Sequence, residues 1–579
     1  MNILIFLLIG VGFFIIASHF YGGALERFLG VDEKRPTPAV AINDGRDYVP
    51  TKTHVLFAHH FSAIAGAGPI LGPTMALLYG FVPAWLWIIL GGVFIGAVHD
   101  FTALFVSMRE QGKSMAEIAR KTLGQKGFIL FIFFTLVMVL LVTSAFLSAT
   151  AISLTSKWPI EKLGLSPDQT LLRVVPGPKG ESLGVIGGIA STSVIVITLF
   201  SPILGYLIYR KGMRVGIAYP LAAAVCIGSV ILGVYEPVVL KPEIWMVILS
   251  IYVLFAAGVP VWVILQPRDF INVQILYAGV IGMALALLVS GASGLRISIP
   301  AFNVQEGVRT LGYLWPMLFI TIACGAVSGF HALVATGTTT KQIRSERDAR
   351  RIGYNAMLLE STLSLCVILA LGSSLLFSDY RDIVWPADPA VKSNPILAFS
   401  LAIGSLLRSS FSIPPAFGAI FGILLVEGFV ITTLDAAVRI NRYLFEELWN
   451  IVFKGRIPAL LRHYWFNSGL AVILMFILAF FNAFSTLWPI FGTGNQLLAA
   501  LSLIAISVWL TNAGKSAVFT LLPAIFMVVT TMASLVILFQ AYLEKGMRML
   551  MTADVVLLVM SLGVVAIAVR TYILRKGTK

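Results

Sequence analysis

Charge is scarce in this sequence: Asp, Glu, Lys and Arg make up 12% of its 579 residues, about half the share of an ordinary soluble domain. A water-soluble fold of this length would lack the polar shell that keeps it dispersed. Cysteine is nearly absent too. Cys226, Cys324 and Cys366 all lie inside apolar runs, with no metal-ligand spacing, which excludes a disulfide framework and leaves small packing residues. No His-Glu-x-x-His pair, phosphate-binding Gly-Lys-Ser/Thr loop or Gly-x-Ser-x-Gly elbow stands in a fitting context, so no catalytic residue and no metal site is assigned.

Apolar side chains fill the space that charge leaves. They are 58% of the chain, and lipid is the solvent that suits them. The net charge of +14 does not form a nucleic-acid footprint. It sits in short clusters between long apolar runs, as cytoplasmic loops of membrane proteins do. The expected partners are therefore a bilayer and a small molecule, and not nucleic acid.

Runs of roughly 20 apolar residues suffice to cross the hydrocarbon. On that rule the sequence predicts an all-α polytopic protein with about fifteen spans, near 3–20, 54–80, 82–108, 127–156, 185–209, 215–234, 244–265, 270–292, 312–336, 352–378, 414–438, 464–484, 487–511, 517–541 and 551–574. The first run, Asn2 to Phe20, has no positive flank before it and no small-residue cleavage site after it, and reads as a span rather than a cleaved signal. Basic residues then set the orientation. Arg27, Lys34, Arg35, Arg46 and Lys52 follow the first span, and later loops carry Arg109, Lys113, Arg120, Lys121 and Lys126, or Lys341, Arg344, Arg347, Arg350 and Arg351. Placing them inside puts the N-terminus outside and the C-terminus in the cytoplasm. The pattern holds if 394–410 is a half-length or re-entrant piece.

Two spans stand apart. The second contains Gly66-Ala67-Gly68-Pro69-Ile70-Leu71-Gly72-Pro73, and the ninth contains Gly325-Ala326-Val327-Ser328-Gly329, followed by Gly337. Gly and Pro weaken intrahelical hydrogen bonding, and in lipid the freed groups must face protein, water or a ligand. Both segments are expected to be broken helices. The alternative is a kinked or closely packed helix. Seven spans separate their starts, so the two cross in opposite directions, which points to inverted repeats with a site at their interface. The expected organisation is a first span and loop at 1–53, a first repeat with extra helices at 54–292, a second repeat at 312–511 and C-terminal helices at 512–579.

At these segments the sequence resembles the carbon starvation protein family. The resemblance is carried by Ile42-Asn43-Asp44-Gly45-Arg46-Asp47-Tyr48-Val49-Pro50-Thr51, by His59-His60-Phe61-Ser62-Ala63 running into Gly66, and by Gly96-Ala97-Val98-His99-Asp100-Phe101. It continues through Pro267-Arg268-Asp269, Ile322 to Leu333, Gly337-Thr338-Thr339, Met357-Leu358-Leu359-Glu360-Ser361, and Leu487 to Gly492 with Asn495-Gln496. His99 departs from a Gln common in the family. The resemblance implies a prokaryotic inner-membrane uptake protein, active when preferred carbon is scarce and carrying pyruvate with protons, or short peptides. It also implies a broken-helix, inverted-repeat core of the LeuT-like, amino acid/polyamine type.

Ionisable groups inside spans are costly and so are functional candidates. His331 lies ten residues before Lys341, about 15 Å along a helix, and an imidazole suits reversible protonation. Its plain alternative is a neutral ring bonded to a carbonyl. Asp100 and Glu360 each lie nine residues from a loop arginine, about 13 Å deep, and each needs a proton or a partner there. These three are the candidates for proton coupling. Asp435 and Arg439, spaced i, i+4, are expected to form a structural ion pair, with Glu427 on the same face. His59 and His60 point about 100° apart on a helix, so only one lines a pathway, and His60 is preferred. The expected substrate contacts are Gly66, Ala67, Gly68 and His60 on one broken helix, and Ser328, Gly329, His331 and Thr338 on the other. No cofactor is expected, only a proton or Na⁺ as coupling ion. The rivals are a channel and a membrane-embedded metal or haem protein. The latter would need His60, His99 and His331 to converge.

Overall fold

In lipid a helix satisfies its own backbone, which is why apolar runs of this length fold as helices. The structure is a computed structural model that describes residues 1–44, 48–177, 180–260, 263–388 and 391–576. Arg46, expected in the first basic loop, lies outside the described residues. Twelve helices among the described residues are long and apolar enough to cross a membrane, and a bent pair, Thr53–Ile64 with Gly68–Tyr79, makes a thirteenth. The protein is thus an all-α, multi-pass membrane protein. Two of the expected fifteen spans take shorter forms. The seventh is the 17-residue helix Pro242–Gly258, and the ninth is two 8-residue helices, Leu314–Thr321 and Phe330–Gly337.

The segment expected to be a half-length or re-entrant piece is an unbroken 17-residue helix, Pro395–Phe411, about 25 Å long at the usual rise and shorter than the helices counted as spans. Asn394 caps it by accepting from the Leu397 N–H at 3.0 Å. It ends at Ser412 in the left-handed region, φ 57°, and folds back on Pro415–Val452 as a helical hairpin. A Cβ on Gly418 would lie 2.6 Å from the Gly404 Cα, so the two backbones touch. A three-stranded antiparallel sheet occupies part of the 157–185 connection, in the order Lys157–Pro159, Ser182–Val185, Val174–Pro176. Trp158 pairs with Gly184 and Val175 with Leu183.

The chain forms two compact units. The first is Met1–Ile5, Val139–Pro300 and Cys366–Leu487, and the second is Phe6–Met138, Ala301–Leu365 and Trp488–Lys579. Each unit draws on both of the repeats expected from sequence. The helices that position functional groups are, in chain order, α1 (Thr53–Ile64), α2 (Gly68–Ala76), α3 (Ala97–Arg109), α4 (Pro242–Gly258), α5 (Leu265–Ala292), α6 (Leu314–Thr321), α7 (Phe330–Gly337), α8 (Asn355–Ser374), α9 (Pro415–Val452) and α10 (Phe484–Asn512). Widened π-helical turns, Gly92–Gly96 and Arg350–Tyr354, precede α3 and α8. Such turns free carbonyls and are frequent at functional sites. Here the Tyr354 hydroxyl donates to the Val93 carbonyl at 3.3 Å.

Candidate functional site

The second unit contains both broken helices, and the breaks touch. Between α1 and α2 the axis turns by 46°. The Gly66 N–H donates to the Ile64 carbonyl at 2.8 Å, while the N–H groups of Ala67 and Gly68 have no acceptor among the described residues. Pro69, in the first turn of α2, has no N–H to leave unsatisfied. A Cβ at Gly68 would meet Cys324 Sγ at 2.4 Å, and one at Gly72 would meet the Thr321 carbonyl at 2.6 Å. Only glycine lets the two backbones come this close.

Between α6 and α7 the carbonyls freed at the end of α6 are taken by side chains. Gln496 donates to Phe319 O at 2.7 Å, Trp87 to Phe319 O at 3.1 Å and Ile322 O at 3.2 Å, and Trp488 to Thr321 O at 3.1 Å. The start of α7 is capped by Asn495 of α10. Its side-chain oxygen accepts from the Phe330 N–H at 3.0 Å, and its backbone carbonyl accepts from the Gly329 N–H, also at 3.0 Å. Its amide donates to the Ser328 hydroxyl at 3.2 Å. The second break is therefore held open by polar caps. The carbonyls of Phe319, Thr321 and Ile322 and the N–H groups of Gly329 and Phe330 thus have partners.

His331, in the first turn of α7, is fully buried between two carboxylates. Its Nδ1 lies 2.7 Å from Asp100 Oδ2 and its Nε2 lies 3.1 Å from Glu360 Oε2. His99 Nδ1 reaches the other Asp100 oxygen at 2.7 Å. Asp100 thus bridges two imidazoles, and His331 bridges two carboxylates. An imidazolium has a donor on each nitrogen, whereas a neutral ring has one. The group His99–Asp100–His331–Glu360 has the parts to hold one proton and pass it between neighbours. His60 is also buried, its Nδ1 2.8 Å from the Thr339 hydroxyl, with Nε2 unpartnered. It lies within electrostatic reach of Asp100 and His331. His59, its neighbour, is exposed.

The three residues proposed for proton coupling from sequence therefore come together. Sequence reasoning gave His99 no part in that group, although its adjacency to Asp100 was the available signal. Asn495 and Thr339 were also missed as positioning groups. Thr338 needs correction: it is exposed and its hydroxyl turns back to the Val334 carbonyl at 3.0 Å. Both its N–H and its hydroxyl keep the helical partner four residues back, Val334 O, so the side chain stays on the outer face of α7. Helix α7 ends at Gly337 and tightens into a 3₁₀ turn, Thr339–Lys341, which brings Thr339 to His60. Ser328 and Gly329 sit at the break, but both are engaged by Asn495.

A second correction lies in the first unit. Asp435 of α9 pairs with Arg268 of α5 at 2.7 Å, not with Arg439 one turn along. Arg439 instead donates to the carbonyls of Ala256 and Val259 at 2.7 and 2.9 Å, near the end of α4. Tyr252 of α4 donates to Asp435 at 2.6 Å, and Arg268 also contacts the Tyr252 hydroxyl. Thr432 joins the network, accepting from Arg268 at 3.1 Å and donating to Asp269 at 2.9 Å.

The family description "Carbon starvation protein CstA" matches residues 2–389 and 373–534. The chain is 31% identical over 601 residues to the peptide transporter CstA of Escherichia coli strain K12, covering 92% of this chain and 80% of that one. It is 29% identical over 602 residues to the pyruvate/proton symporter BtsT of the same strain, covering 90% and 79%. Among solved structures, a manganese transporter mutant of Eremococcus coleocola superposes with a TM-score of 0.49 at 10% identity, over 92% of this chain and 98% of that one. The relatives are named as transporters, not enzymes. With the family match running over most of its length, the chain belongs to the carbon starvation protein family.

Proposed function

We propose that this protein is a secondary active transporter that takes up a small carboxylate of the pyruvate type by proton-coupled alternating access. The observation that carries this reading is His331, buried between Asp100 and Glu360 directly after a helix break. The unsatisfied N–H groups of Ala67 and Gly68, at the N-terminal end of α2, are suited to a carboxylate. His60 Nε2 is a further polar group near that break. In this reading a proton gained by the His331 group offsets the substrate's charge before the site turns inward. The name of one relative, a pyruvate/proton symporter, supports it.

Short peptides are the second reading, favoured by the relative named a peptide transporter. The coupling ion in our reading is a proton, with Na⁺ held at freed carbonyls as the alternative. The inverted repeats at 54–292 and 312–511, a prokaryotic plasma-membrane location and an N-terminus outside with the C-terminus in the cytoplasm complete the proposal. Uptake of labelled pyruvate and of a dipeptide panel into proteoliposomes, with and without an inward pH gradient, tests it. We expect pyruvate accumulation that collapses when the gradient is removed. Accumulation driven by Na⁺ alone, or dipeptide uptake without pyruvate uptake, contradicts it.

A further inference from the structure

The first unit holds a buried carboxyl that takes no part in the His331 group. Glu427 lies in the first half of α9, wholly buried, and neither of its carboxyl oxygens has a hydrogen-bond partner among the described residues. It lines a small cavity with Thr198, Asn272 and Arg268, whose remaining wall is apolar. The cavity holds about 10 Å³ of free space, room for about one water molecule. The hydroxyl of Ser153, also buried and without a partner of good geometry, faces Glu427.

The charged groups around this cavity are already engaged. Arg268 is 2.7 Å from Asp435 and 3.6 Å from Asp269, and it also contacts Tyr252. Helix Ile186–Gly205, which supplies Thr198, carries no ionisable side chain. Arg408 of helix Pro395–Phe411 lies beside Gly164, toward the Pro415 end of α9. A bare carboxylate in such surroundings costs far more than the neutral acid. The neutral acid also supplies an O–H for a water in the cavity. Among the described residues, Thr198 and Asn272 are the side-chain oxygen donors that line the cavity besides Glu427, and a metal cation there would face the Arg268 guanidinium.

We propose that Glu427 is a proton-binding site, a second one besides the His331 group and built in the other compact unit. The proton sits on a carboxyl oxygen facing the cavity and exchanges through the water that the cavity accommodates. The test is infrared spectroscopy of the purified full-length protein across a pH titration. The wild type is expected to show a protonated-carboxyl C=O component that fades reversibly as pH rises. Glu427→Gln, which mimics the neutral acid in shape, is expected to lose that component. Identical carboxyl bands in wild type and Glu427→Gln overturn the proposal, and so does a component that Na⁺ but not K⁺ removes at constant pH. If Glu427→Gln does not fold, Glu427→Asp serves instead: a displaced C=O component supports the proposal and an unmoved one overturns it. The readout requires no transport, so it stands or falls apart from the carrier reading.

Discussion

A single buried arginine settles which ion pair matters in the first unit. Arg268→Leu strands Asp435 without its cation, and breaking a buried pair in this way costs about 3–5 kcal/mol. The thermal midpoint of the detergent-solubilised protein is expected to fall sharply, and adding Asp435→Asn is expected to recover most of the loss. Arg439→Gln leaves the Arg268–Asp435 contact intact and is expected to cost less. Equal losses for Arg268→Leu and Arg439→Gln would mean that Asp435 relies on both. The sequence spacing suggested Arg439 because local helix geometry is all that spacing reports, while Arg268 reaches Asp435 only through tertiary packing of α5 on α9.

His99 makes a second test at this scale. Glutamine can donate the same hydrogen bond to Asp100, so His99→Gln is expected to retain most proton-driven uptake and His99→Leu to lose it. Equal activity in the two variants would show that the contact at 2.7 Å does nothing for coupling. The sequence placed His331, Asp100 and Glu360 well inside their helices, counted from Lys341, Arg109 and Arg351, and all three are buried. Their meeting was not legible there, because Asp100 and His331 are 231 residues apart.

At the scale of elements, the two breaks were legible to different degrees. The first has prolines, which cannot donate a helical hydrogen bond, and the bend falls where they begin. The second has only glycines before α7, and what fixes it is Asn495 on α10, a residue that looks ordinary in sequence. Gly329 shows how tight that join is: a Cβ there would lie 2.4 Å from the Asn495 carbonyl and 2.5 Å from the Ala499 nitrogen. Gly329→Ala must push α7 from α10, an overpacking cost of about 1–3 kcal/mol. A lower thermal midpoint with reduced uptake is the expected result. A variant as stable and active as the wild type would show that the second break has slack.

At the scale of the molecule, the apolar runs found nearly all of the helices, because span length is set by the bilayer and not by tertiary detail. The compact units were less legible, since each gathers chain from three separate stretches. The proton-linked carrier reading is the claim on which the functional account rests, and its most direct test is a comparison of wild type with His331→Ala in proteoliposomes. Labelled pyruvate accumulation under an inward pH gradient is to be measured, with folding checked by monodisperse elution. The account predicts strong accumulation in the wild type and none above equilibration in folded His331→Ala. Undiminished gradient-driven accumulation in that variant would contradict it.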